Sequence, residues 1–243
     1  MKHLLVTRRR VVIARALVSA IVLLALTAAV ALSANFGGDG TLVGTSGNDN
    51  INAGNGNDTV YGLGGSDSVN AGNGNDLIDG GGACPKGVAS GDYPNGLPGG
   101  EYCEDGPVSP CGNDNLNVGS GNDTVWGNCG TNDINVQGGK DTVYAYGKGT
   151  INVGNGNDTV YLYDTSGSYA LTTGSGKDTV YAQNGVVDTI NCDTKNTTVY
   201  ADSNDRTSNC TVIFSKPPAN AVLAPSTKRK NKEHGGKKGA RTR

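Results

Sequence analysis

The chain has 243 residues, 39 of them glycine, with only two phenylalanines, one tryptophan and one methionine. That inventory is too poor in large apolar side chains to offset chain entropy alone, so backbone ladders, disulfides or bound metal must share the task. The net charge of −2 conceals a body, residues 35–214, with 21 acids against six bases, a balance that excludes nucleic acid as a partner and favours divalent cations.

Residues 1–34 carry five bases and no acid. Lys2, Arg8, Arg9, Arg10 and Arg15 precede an apolar run from Ala16 to Ala34, and Ala29-Val30-Ala31 and Ala31-Leu32-Ser33 offer cleavage contexts. The segment reads as a signal peptide, whose removal leaves no membrane span. At 19 residues the run is also just long enough to stay as an anchor. Either way the body lies outside the cytoplasm, secreted or at the cell surface. All six cysteines fall within residues 84–210, and an even count in an exported chain points to disulfides.

Next comes a tandem repeat, the decisive feature. Residues 44–79 divide into four nonapeptides: Gly44-Thr-Ser-Gly-Asn-Asp49-Asn-Ile51-Asn, Ala53-Gly-Asn-Gly-Asn-Asp58-Thr-Val60-Tyr, Gly62-Leu-Gly-Gly-Ser-Asp67-Ser-Val69-Asn and Ala71-Gly-Asn-Gly-Asn-Asp76-Leu-Ile78-Asp. Each has glycine fourth, aspartate sixth and a branched aliphatic eighth. The pattern resumes at Asp114, Asp123, Asp141, Asp158 and Asp178. Units near Ile151, Leu171 and Ile190 keep the aliphatic residue and lose the glycine loop.

These nonapeptides resemble the RTX, or hemolysin-type, calcium-binding repeat over residues 44–200, with one interruption. The resemblance implies an all-β fold, a parallel β-roll or β-helix solenoid of 18-residue coils. Each nonapeptide supplies a glycine-rich turn and a strand of about three residues, and about seven coils are expected. Val60, Val69, Ile78, Val125, Val143, Val160 and Val180 then point inward. It also implies several Ca²⁺ ions between consecutive turns on the same edge, held by aspartates and turn carbonyls. The 18-residue coil sorts the candidate ligands into a first edge, Asp58, Asp76, Asp123, Asp141, Asp158 and Asp178, and a second, Asp49, Asp67 and Asp114. Asn132 follows on the second edge, and then units without the motif. The alternative is that the aspartates only terminate tight turns.

On the roll that the resemblance implies, residues 18 apart stack one coil spacing, about 4.8 Å, from each other. This pairs Cys111 with Cys129 and Cys192 with Cys210, within the disulfide window of about 4.4–6.8 Å, and leaves Cys84 with Cys103. Residues 80–111 read as one disulfide-tied loop inserted in a second-edge turn. Residues 182–214 read as a cap closed by Cys192–Cys210. The tail, residues 215–243, has nine bases and one acid and is expected to be disordered.

Tyr61, Trp126, Tyr144, Tyr161, Tyr181 and Tyr200 each follow an inward aliphatic residue of one sheet and form an outward column beside a row of threonines. Two readings stand: a ligand face for glycans or a protein, or mutual stacking that stabilises the sheet. The sequence points away from an enzyme. Its only histidines, His3 and His234, lie in the signal and the tail, so a Ser-His-Asp or Cys-His site would lack its base. Calcium is the expected partner, with cell-wall polymers, glycans or extracellular proteins as attachment partners through the exposed face or the basic tail.

Overall fold

The computed structural model describes residues 31–81, 111–163 and 167–214. Residues 1–30 of the 1–34 signal segment, the Cys84–Cys103 pair with most of the insertion, and the basic tail lie outside the described residues, while residues 31–34 stand in the first strand, Ala31–Gly37.

Two nine-stranded parallel sheets face each other. The first contains β1 (Ala31–Gly37), β3 (Asn50–Asn55), β5 (Ser68–Asn73), β7 (Asn115–Gly121), β9 (Thr131–Gly139), β11 (Lys148–Gly156), β13 (Tyr169–Thr173), β15 (Thr189–Cys192) and β17 (Arg206–Ser208). The second contains β2 (Thr41–Val43), β4 (Thr59–Tyr61), β6 (Leu77–Asp79), β8 (Thr124–Gly127), β10 (Thr142–Ala145), β12 (Thr159–Leu162), β14 (Thr179–Tyr181), β16 (Thr198–Tyr200) and β18 (Thr211–Ile213). Successive strands alternate between the sheets, so the chain coils as a solenoid.

Nine strands per sheet exceed the seven or so coils that the motif suggests. The extra rungs are at the ends, where pairing needs only backbone: β1 and β2 precede the first nonapeptide, and β17 and β18 follow the last. Coil length also varies. The ladder partners Asp141 and Asp158 are 17 residues apart, and Asp158 and Asp178 are 20 apart.

Alternation within each strand explains the core. Ile51, Val69, Leu116, Ile134, Ile151, Leu171 and Ile190 form one inward column, and Val60, Ile78, Val125, Val143, Val160, Val180 and Val199 form the facing one, all at most 1% exposed. First-sheet strands reach nine residues where about three were expected. Their extra length adds a second inward column, Ala53, Ala71, Val118, Val136 and Val153. The core is two thin layers of small aliphatic residues, which suits a chain with so few large ones.

The insertion leaves the ladder between β6 and β7 and returns without breaking either sheet. Ser68 pairs with Asn115, and Leu77 with Thr124. Cys111 is bonded to Cys129 and Cys192 to Cys210, with Cα atoms 5.1 and 5.3 Å apart. Among the described residues no helix is long and apolar enough to cross a membrane.

Candidate metal-binding edges

The turns are tight because glycine stacks on glycine. At Gly74 the backbone has φ +145°, and an added Cβ would sit 1.7 Å from the carbonyl oxygen of Gly56 one coil earlier. Only a residue without Cβ fits there. This close stacking brings the sixth-position aspartate of one coil onto the backbone of its neighbour.

On the first edge the Asp58 N–H donates to Asp76 Oδ1 (2.8 Å), Asp76 to Asp123 (2.7 Å), Asp123 to Asp141 (2.8 Å), Asp141 to Asp158 (2.9 Å) and Asp158 to Asp178 (3.0 Å). On the second edge Asp49 donates to Asp67 (2.9 Å), Asp67 to Asp114 (2.9 Å) and Asp114 to Asn132 Oδ1 (3.1 Å). The steps across the insertion, 47 residues in sequence, are as short as the others. The fifth-position asparagines reach the opposite way: Asn57, Asn75 and Asn122 accept from the N–H of Asn75, Asn122 and Lys140 in the following coil. Asn157 does the same for Lys177 N–H, so every first-edge gap except that between Asp141 and Asp158, where Lys140 replaces the asparagine, is braced from both sides.

The bracing uses only one carboxylate oxygen. Asp58, Asp67, Asp76, Asp114, Asp123, Asp141 and Asp158 are buried, and the Oδ2 of each has no hydrogen-bond partner. A buried carboxylate oxygen without a donor is costly. Burial, partly offset by the backbone N–H that each accepts, lifts Asp67, Asp123 and Asp158 to about 7 and Asp114 to about 6. Neighbouring aspartates push Asp67, Asp123 and Asp158 further up. Asp58, Asp76 and Asp141 are raised as well, again chiefly by burial.

The terminal ligand candidates differ. Asp49 Oδ2 accepts from Thr45 N–H (2.6 Å) and Oγ1–H (3.0 Å), and Asp178 Oδ2 accepts from Thr197 Oγ1–H (3.0 Å).

Hard oxygens, negative charge and orphaned acceptors form a donor set that fits calcium. Among the described residues no three acidic, histidine or cysteine side chains converge. An ion between turns would thus take aspartate oxygens together with turn carbonyls, whose convergence the glycines permit. The residues placed to hold it are Asp58, Asp76, Asp123, Asp141 and Asp158 on one edge and Asp67 and Asp114 on the other.

Sequence reasoning missed four residues here: Asp188, Asp205, Tyr169 and Asp79. The second-edge column resumes after its interruption: Tyr169 N–H donates to Asp188 Oδ1 (2.7 Å) and Asp188 N–H to Asp205 Oδ1 (2.9 Å). The signal was Asp188-Thr189-Ile190, the spacing of Asp141-Thr142-Val143 without the preceding glycine loop. Tyr169 itself occupies the turn position of the missing aspartate, fully buried, and its hydroxyl donates to the Tyr146 carbonyl (2.7 Å). Asp79 interrupts the aromatic column between Tyr61 and Trp126. It is buried, burial lifts it to about 7, and its Oδ2 has no partner.

The aromatic residues do stack in register. Ring centroids lie 5.2 Å apart for Trp126–Tyr144, 5.1 Å for Tyr144–Tyr161, 4.9 Å for Tyr161–Tyr181 and 5.1 Å for Tyr181–Tyr200, all near parallel. Tyr146 and Tyr163 add a second row. Tyr61, Trp126 and Tyr161 are 3%, 6% and 9% exposed, well short of an open face. Sugars stack on exposed ring faces, and here neighbouring rings cover both faces of Tyr144, Tyr161 and Tyr181.

A family model described as the RTX calcium-binding nonapeptide repeat (4 copies) matches residues 35–69, 55–83 and 112–143. The match takes in the glycine-aspartate turns on both sides of the insertion and stops at Val143, while the solenoid runs on to Ile213. No curated protein and no solved structure matches the chain.

Proposed function

Taking as premise that the chain is an RTX calcium-binding nonapeptide-repeat protein in its matched segments, we propose that calcium between the stacked turns drives the folding of an exported solenoid. The observation that carries this is the pair of columns of buried aspartates, seven of which keep an unpartnered Oδ2. In the metal-free roll these oxygens are desolvated with nothing in return. A divalent cation beside them supplies both the missing partner and the missing charge. Calcium binds the folded turns and not the open chain, so its binding energy becomes folding energy. The role is structural and not catalytic.

The acidic body and the basic tail of nine bases and one acid suit surface attachment, the tail meeting anionic cell-wall polymers while the roll stands as a spacer. The basic and apolar start of the chain and the two disulfides support export, where calcium is plentiful.

The test is far-UV circular dichroism on residues 35–243, disulfides intact, titrated from chelator to millimolar calcium. A cooperative gain of β signal is expected. A full β spectrum in chelator, unchanged by calcium and with no heat of calcium binding, would leave the aspartates as turn residues only and overturn the reading.

A further inference from the structure

The unpartnered carboxylate oxygens are not spread evenly along the solenoid. Among the described residues, every buried carboxylate oxygen without a partner belongs to an aspartate between Asp58 and Asp158. Beyond that point the protein supplies its own donors. Asp178 Oδ2 accepts from Thr197 Oγ1–H, and the Thr197 hydroxyl also lies 3.2 Å from that of Thr173. Asp188 accepts Tyr169 N–H on Oδ1 and the Asn184 amide on Oδ2 (2.9 Å). Asp205 accepts Asp188 N–H on Oδ1 and Asp202 N–H on Oδ2 (2.7 Å).

A second, independent change runs through the same coils. In early coils the residue that enters each second-edge turn is glycine. A Cβ there would press on the turn carboxylate, 2.5 Å from Asp67 Oδ2 at Gly62 and 2.9 Å from Asp114 Oδ2 at Gly80. The glycine leaves room for the acid. In register with Gly127 the later coils place Ala145 and then Leu162, both buried. In the turns that follow, Gly149 and Tyr169 stand in the column of Asn132, and neither brings a carboxylate to the gap. The Cys192–Cys210 disulfide then ties the last coil to the one before.

We infer that the solenoid is divided in its metal dependence: the calcium sites end at the gap beside Asp158, and the coils from Tyr169 to Ile213 fold without metal. This rests on the calcium reading above and confines the metal-dependent part to the coils before Tyr169.

The experiment is hydrogen–deuterium exchange read by mass spectrometry on the full chain, disulfides intact, in chelator and in calcium. Peptides spanning Tyr169–Ile213 are expected to be protected in both, and peptides spanning Asn50–Leu162 only in calcium. Loss of protection in both regions in chelator, with recovery of both in calcium, would overturn the division and leave the calcium reading standing. Full protection of both regions in chelator would overturn the calcium reading and the division with it. Thr197→Val strips Asp178 Oδ2 of its donor, so protection of residues 178–200 in chelator is expected to fall and to return with calcium. Unchanged protection in chelator would show that the protein's own donors are not what frees these coils from metal.

Discussion

At the scale of single residues, the sixth-position aspartate performs two tasks with two oxygens. Oδ1 locks onto a backbone N–H of the neighbouring coil, and Oδ2 carries the charge that a cation answers. The second edge separates these tasks by itself. Asn132 stands where an aspartate would, its Oδ1 accepts the Asp114 N–H (3.1 Å), and its amide donates to the Asn128 carbonyl (2.7 Å). Asparagine thus keeps the bracket and drops the charge. Asp123→Asn is therefore expected to retain the β spectrum in calcium while weakening binding and lowering the number of ions bound, measured by calorimetric titration. Asp133→Asn, at an exposed strand position, is the control and should leave both unchanged. Identical titrations for the two variants would remove Asp123 from the site.

At the scale of the element, a column of aspartates behaves as a unit. In the metal-free roll Asp67, Asp123 and Asp158 sit at about 7 and Asp114 at about 6, against about 3.9 in an open chain. A folded-state value raised above the unfolded one gives stability that is complete below the unfolded value and is lost as pH rises through the folded one. In chelator, thermal stability should accordingly be greatest near pH 4 and decline up to about pH 7. Calcium at neutral pH should restore it. A melting temperature in chelator that rises with pH over this range would contradict the burial of the column.

The columns also mark how far the sequence could be read. Sixth-position spacing placed Asp58 through Asp178 on one edge and Asp49, Asp67 and Asp114 on the other, because period and chemistry coincide there. Asp188 was hidden because its glycine loop is gone, and its ladder bonds with Tyr169 and Asp205 show that it belongs to the column. Tyr169 was hidden for another reason. A tyrosine plugging a turn follows no repeat rule, since its place is set by the space that the missing aspartate leaves. The aromatic column was legible in its register and not in its burial. Facing outward is a property of one strand, whereas exposure depends on the neighbouring rings and on Asp79, which no period announces.

At the scale of the molecule, stability is a sum over neighbouring coils, so the ends matter most. Cys192–Cys210 closes an 18-residue loop at the end where β17 and β18 are only three residues long. Replacing both cysteines by serine is expected to cost about 3 kcal/mol, measured by denaturant unfolding of residues 35–243 in calcium. Removing Cys111–Cys129 in the same way should cost a similar amount and leave the last coils intact. Equal loss of C-terminal exchange protection in both double variants would mean that the bridges do not act locally.

The strand order has a mechanical side. The first and last strands lie at opposite ends of both sheets, so a pull applied between them opens one coil at a time instead of shearing a whole sheet. Each 18-residue coil that peels away releases roughly 60 Å of chain. Each bridge between consecutive coils keeps its own coil closed and removes that increment. Held at one end and pulled at the other, a molecule with this strand order is expected to lengthen one coil at a time and to shorten again as the chain rewinds.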